Sequence, residues 1–189
     1  DLNAEIARSV TDSTPIYTSL PYIEQDIYQQ LANTNPKLTE RNAVMIGTNL
    51  NYKGTDLLVR GWESVRDAHP NAELHIVGPG HKNQHEQIEG INIRGFVPDI
   101  AEELERSSLY IHPARAEAFG VSVLEAMRAG VPPIVTQTTG AKSEVRQIDE
   151  SLVTDADSNL LAKRIIEYFD TPLDRRRKWS AIARSRSER

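Results

Sequence analysis

An α/β fold built on a doubly wound parallel sheet is what this sequence predicts, and three observations carry the prediction. Short apolar runs alternate with helical patterns from Asn42 to Phe169, and strands alternating with helices imply a parallel sheet covered on both faces. The chain has 189 residues, 39% hydrophobic and 26% charged, which suits about one domain with a real core and excludes a disordered chain. Lys53, Val97, Glu117 and Gly120 all fall just after strands. Open parallel sheets bind ligands at that edge, beyond the carboxyl ends of the strands.

Composition narrows the function further. Twenty-two basic residues stand against 27 acidic ones, for a net charge of −5, so no nucleic-acid partner is expected. There is no cysteine, hence no disulfide framework and no cysteine-based metal site. No apolar run approaches the ~18 residues of a membrane span, and no signal-peptide pattern is present. A cytoplasmic location is the expectation. The chain opens on Asp1 rather than methionine, which reads as a piece of something longer.

Each element has its own justification. Residues 1–40 contain no glycine. Ile16 to Leu20 reads as a strand, and Glu24 to Ala32 as a helix with Ile27, Tyr28 and Leu31 on one face. Asn42 to Ile46 is a short apolar strand ending at Gly47. Thr55-Asp56 open a helix whose inner face is Leu57, Leu58, Gly61, Trp62 and Val65, ended by His69-Pro70. Leu74 to Val77 is the second strand. Gly78-Pro79-Gly80 after it is half of a dinucleotide fingerprint, with Asn83 where the third glycine belongs, and reads as a plain turn. Ile91 to Phe96 is the third strand, and Pro98-Asp99 begin a helix through Arg106 with Ile100 and Leu104 inward. Leu109 to His112 and Pro133 to Thr136 are the fourth and fifth strands, and Leu152-Val153 a brief last one. Ser158 caps a helix to Phe169 with Leu161, Ile165 and Phe169 on one stripe. Thr171-Pro172 break it, and a final helix turns Trp179 and Ile182 inward.

Between the fourth and fifth strands lies the stretch around which the chain is organised, Arg115 to Gly130. Gly120 permits a tight turn. Ser122 and Glu125 have the S-x-x-E spacing of a capping box, and Gly130 stops the helix as its C′ residue. The helix N-terminus then sits at the carboxyl edge of the sheet, where free amides and the helix dipole suit a phosphate. Glu117 and Glu125 flank that place. On spacing alone, Glu125 is equally well a capping-box partner and Glu117 a solvated loop carboxylate.

This stretch resembles the Glu-x7-Glu signature of the retaining, group-1 glycosyltransferases of the GT-B fold. The match runs from Glu117 to Glu125 and includes Phe119-Gly120, Glu125-Ala126-Met127 and Ala129-Gly130-Val131-Pro132. The resemblance covers roughly Asn42 to Phe169. It implies one Rossmann-like half of a GT-B enzyme: residues 1–40 as an interdomain connection, 41–170 as the nucleotide-sugar-binding domain and 171–189 as a C-terminal helix. It implies transfer of a sugar from a nucleoside-diphosphate donor to a saccharide or lipid-linked acceptor, with retention and without a metal or other cofactor. The acceptor would be met by an N-terminal domain absent from this sequence. A GT-B nucleotide-sugar epimerase and a non-catalytic nucleotide-sugar-binding module are the alternatives.

By the same resemblance, Lys53 contacts the diphosphate and Glu125 accepts the two ribose hydroxyls. Glu117, with the amides after Phe119 on Gly120 and Val121, holds the donor sugar near the reacting carbon. The backbone of Val97 contacts the base. One residue departs from the family: an arginine usually follows the glycine ending the first strand, and here that residue is Thr48. Arg115 is the candidate to replace the missing cation. Other features read plainly. His81 and His85 have H-x3-H spacing without a third ligand, and His112 is a packed strand-end residue. Arg175-Arg176-Arg177-Lys178 is an exposed helix face, with peripheral membrane or acidic-partner contact as its second reading.

Overall fold

The computed structural model describes residues 22–81 and 88–188. The expected strand at Ile16–Leu20 and His85 lie outside these residues. Six parallel strands form one sheet: β1 (Asn42–Ile46), β2 (Glu73–Val77), β3 (Ile91–Gly95), β4 (Leu109–His112), β5 (Pro133–Thr136) and β6 (Val153–Thr154). Their order is β3-β2-β1-β4-β5-β6. The chain steps outward from β1 through β2 to β3, then returns to the middle and steps the other way. The connections after β1 and β4 therefore leave on opposite sides, which opens a crevice between them. Every residue of β4 and β5 is buried, as befits central parallel strands covered on both faces.

The helices are α1 (Gln25–Ala32), α2 (Thr55–Ala68), α3 (Ile100–Glu105), α4 (Val121–Arg128), α5 (Lys142–Arg146), α6 (Ser158–Asp170) and α7 (Leu173–Arg186). Helix α2 buries Leu57, Leu58, Gly61, Trp62 and Val65, as its periodicity predicts, and packs on α6. Helix α6 buries Leu161, Ile165 and Phe169. Helices α1 and α7 come from the two ends of the described chain, and both pack on α4. None of the described helices is long and apolar enough to cross a membrane.

Several local expectations are corrected. Strand β2 begins one residue early, at Glu73, β3 ends at Gly95, and Leu152 lies in a 3-10 turn before β6. Asp157, not Ser158, caps α6: its carboxylate accepts the amides of Asn159 and Leu160 at 2.9 and 3.0 Å. The capping box of α4 does not form. Gly120, at φ 94°, occupies the N-cap position and makes the turn itself, so Ser122 falls inside the first helical turn. There its Oγ accepts the Tyr110 hydroxyl at 2.8 Å. Arg176 is buried, not exposed. It shares a helical face with Trp179, Ser180 and Ala183, all buried, because residues three, four and seven apart line one side.

Candidate functional site

The site is built where the loops after β1 and β4 meet. Gly54 has φ 71°, and a Cβ there would stand 2.0 Å from the Pro113 carbonyl oxygen. Only glycine lets the two loops approach this closely. The Tyr52 carbonyl accepts the amides of Arg115 and Ala116 at 2.7 and 3.3 Å. The Arg115 guanidinium then grips the β1 side: it donates to Asn51 O at 2.8 Å and, in a two-pronged pair, to both Asp56 carboxylate oxygens at 2.6 and 2.7 Å. This clasp brings Lys53 Nζ into an ion pair with Glu117 Oε2.

The loop after β5 fixes Glu117 from the other side. The Glu117 amide donates to Thr138 O at 3.1 Å, and its carbonyl accepts the Gly140 amide at 3.0 Å. The Thr136 and Thr138 hydroxyls both donate to Ala114 O, at 2.5 and 2.6 Å. Beneath the carboxylate lies His112, 2% exposed. Its Nε2 is 3.4 Å from Glu117 Oε2, and its Nδ1 is 3.2 Å from the Tyr110 hydroxyl. The His112 imidazole and the Lys53 ammonium hold the Glu117 carboxyl down to about 2, against the burial that raises it. Glu117 is thus a preset anion whose position three loops determine.

Glu125 is its opposite. It lies half-buried on α4, its carboxylate without a hydrogen bond or ion pair among the described residues, and burial pushes that carboxyl upward. No side chain caps α4. The Val123 amide donates to Gly120 O at 2.9 Å, and those of Val121 and Ser122 are left for solvent or a ligand. A half-buried carboxylate with unused acceptor capacity, beside open amides and the positive end of a helix dipole, suits a ligand with both hydroxyls and phosphates.

The structure brings Lys53, Glu117, Phe119, Gly120, Val121 and Glu125 to one edge of the sheet. Thr48 is exposed in the β1 loop. Val97 is half-buried just past the end of β3, the strand at the sheet's far margin, beside Phe96, which is 81% exposed. Arg115 is turned away from the role of spare cation: its guanidinium is held by the Asp56 carboxylate, which Arg60 shares and which is lowered chiefly by Arg115. The sequence reading did not assign His112 or Tyr110 to the site. The available signal was position: His112 closes a central strand five residues before Glu117. His81 Nε2 lies 2.8 Å from Gly47 O, in the turn after β2.

This geometry can be set against known proteins. The sequence pattern described as "Glycosyl transferases group 1" matches residues 27–186, most of the chain. The chain belongs to this family. Its fold is that of the C-terminal domain of the GT-B enzymes. Two curated relatives are each 28% identical over 138 residues. One is the lipopolysaccharide glucosyltransferase WaaG of Escherichia coli, with 66% of this chain and 36% of the relative covered. The other is a GDP-mannose-dependent monoacylated phosphatidylinositol monomannoside mannosyltransferase of Corynebacterium glutamicum, with 65% and 36% covered. The chain thus spans about a third of the length of these relatives. Among solved structures, a variant of S. aureus TarM in complex with fondaparinux, α-GlcNAc-glycerol and UDP superimposes with a TM-score of 0.78 at 19% identity. That match covers 97% of this chain and 38% of TarM.

Proposed function

We propose that this group 1 glycosyltransferase domain is the donor-binding half of an enzyme that transfers a sugar, with retention, from a nucleoside-diphosphate donor to a saccharide or lipid-linked acceptor. The observation that carries the reading is the pairing of Lys53 with Glu117 at the crevice, next to the uncapped end of α4 and the unpartnered Glu125 carboxylate. Lys53 faces the diphosphate, whose charge grows as the glycosidic bond breaks and is stabilised by groups already in place. Glu125 accepts the ribose hydroxyls. Glu117 and the amides of Gly120 and Val121 hold the donor sugar, and the backbone at Val97 meets the base. Residues 41–170 form the donor domain, with 1–40 as an interdomain connection and 171–189 as a C-terminal helix. The relatives act on lipopolysaccharide and on a phosphatidylinositol mannoside by name, which favours a glycolipid or saccharide acceptor here and a cytoplasmic, membrane-peripheral setting.

Titration calorimetry of this chain with UDP, GDP, UDP-glucose and GDP-mannose tests the reading. At least one diphosphate should bind more tightly than its free nucleoside, and no sugar should reach an acceptor, because one wall of the cleft is missing. Failure of every nucleotide to bind refutes the proposal. Thr48 favours a second reading, a non-catalytic nucleotide-sugar-binding module, since the loop lacks the usual arginine. Sugar transfer by the longer protein rules that reading out.

A further inference from the structure

His112 has no part in the roles the family resemblance distributes, yet it lies directly behind the carboxylate at the centre of the site. Its side chain is 3% exposed, and Nε2 is fully buried without a well-aligned hydrogen bond. The nearest charged group is Glu117 Oε2, 3.4 Å away. Burying a polar nitrogen without a partner is costly, so its direction calls for an explanation. The other face of the ring is anchored. Nδ1 meets the Tyr110 hydroxyl at 3.2 Å, the Tyr110 and His112 rings stack at 6.2 Å, and the Tyr110 hydroxyl donates to Ser122 Oγ at 2.8 Å in the first turn of α4.

Nδ1 is engaged by the Tyr110 hydroxyl, whereas a bare lone pair on Nε2 would face a carboxylate. Nε2 is therefore the nitrogen that carries a proton. Glu117 Oε2 is therefore served from two directions: by Lys53 from the crevice and by His112 from inside the fold. The two donors differ in freedom. Lys53 lies on a surface loop with 21% of its side chain exposed, whereas the His112 ring is held by β4 and, through Tyr110 and Ser122, by α4.

We propose that His112 is the positioning residue for Glu117: its Nε2–H holds Oε2 of the carboxylate, so that the other oxygen stays turned to the donor sugar and Lys53 is free to move to the diphosphate. The inference rests on the sugar-holding role given above to Glu117. It also answers the deficit left by Thr48. Arg115 is held by Asp56, so Lys53 is the cation of this loop pair that can be released, provided another donor keeps Glu117 in place.

Long-range proton–nitrogen NMR of histidine-labelled chain at pH 7 gives a first readout. Nε2 of His112 should be protonated, and its signal should shift in Glu117→Gln. Calorimetry gives the second, with UDP-glucose against UDP and GDP-mannose against GDP. His112→Phe should lower affinity for the sugar nucleotide at least fivefold and for its bare diphosphate less than twofold. His112→Gln, which keeps an N–H near the Nε2 position, should recover most of the loss. An unprotonated Nε2, or a folded His112→Phe that binds the sugar nucleotide as the wild type does, overturns the proposal. Should His112→Phe fail to fold, the ring's protonation and His112→Gln decide alone. If neither sugar nucleotide binds the wild type better than its bare diphosphate, the sugar-holding role of Glu117 falls, while the protonation of Nε2 still reports whether His112 holds it.

Discussion

The two ends of α4 are finished in opposite ways. At the C-terminus, Gly130 (φ 77°) is the C′ residue: its amide donates to Met127 O at 3.0 Å, and the Val131 amide donates to Ala126 O at 2.9 Å, the paired bonds of a Schellman motif. Arg184 of α7 then donates to the carbonyls of Arg128 and Ala129 at 3.4 and 2.8 Å, and to those of Ala32 and Thr34 at 2.8 and 2.6 Å. Ser180 Oγ donates to Gly130 O at 2.5 Å. The terminal carbonyls meet protein donors, and a cation sits on the negative end of the dipole. At the N-terminus no side chain caps the helix, and the Glu125 carboxylate one turn in has no partner among the described residues. One end is closed to hold α1, α4 and α7 together. The other keeps unmet hydrogen-bonding capacity, which costs stability and leaves it for a ligand.

The largest expected effect falls on the closed end. Gly130→Ala forces a left-handed backbone on a residue with a side chain and places its Cβ 2.4 Å from Arg184 Nε. Backbone strain of roughly 1–2 kcal/mol adds to about 1 kcal/mol from disturbed guanidinium bonds. Urea unfolding should show this loss, while nucleotide affinity per folded molecule stays unchanged. A fall in affinity would mean that the two ends are coupled.

Lys53→Ala at the open end should do the reverse. A charge-assisted phosphate contact is worth about 1.5–3 kcal/mol, so affinity for UDP or GDP should drop tenfold or more with little change for the free nucleoside. Equal losses for nucleoside and diphosphate in calorimetry would place the lysine outside the phosphate site.

Glu125→Gln should separate stability from binding in a single residue. Burial raises the Glu125 carboxyl, so its ionised form disfavours the fold, and that penalty grows as pH rises through the raised value. The glutamine variant should therefore melt higher than the wild type at pH 7. Its nucleotide affinity should fall by about 1 kcal/mol, because a neutral acceptor replaces a charged one. A lower melting temperature would show that the carboxylate stabilises the fold.

Arg115→Ala should have the smallest effect. Arg115 and Asp56 are partly exposed, with 31% and 46% of their side chains accessible, and such pairs contribute about 0.2–1 kcal/mol. UDP affinity should change little, whereas Thr48→Arg should tighten it by adding the charge the loop lacks. A loss from Arg115→Ala as large as that from Lys53→Ala would return Arg115 to the phosphate.

Sequence alone determined the strands and the helices that cover them, apart from the short α5, whose stretch reads as a loop and turn. Apolar runs of four or five residues, cut by Gly47, Gly78, Pro113 and Gly130, mark β1, β2, β4 and the end of α4, because these breaks and periodicities are local properties of the backbone. It also placed Lys53, Glu117 and Glu125 after the right strands. It did not decide which polar group meets which. Ser122 and Glu125 have capping-box spacing, yet the Gly120 turn and the Tyr110 hydroxyl, twelve residues upstream of Ser122, took Ser122 out of the cap. Arg115 looked like a spare cation until the fold set Asp56, 59 residues earlier, beside it. His112 read as a packed strand end, and only the return of the chain at Glu117 gave its Nε2 a carboxylate to face. Charge pairing and hydrogen bonding depend on ångström-scale distances between loops of different strands, and those distances exist only once the sheet has brought the loops together.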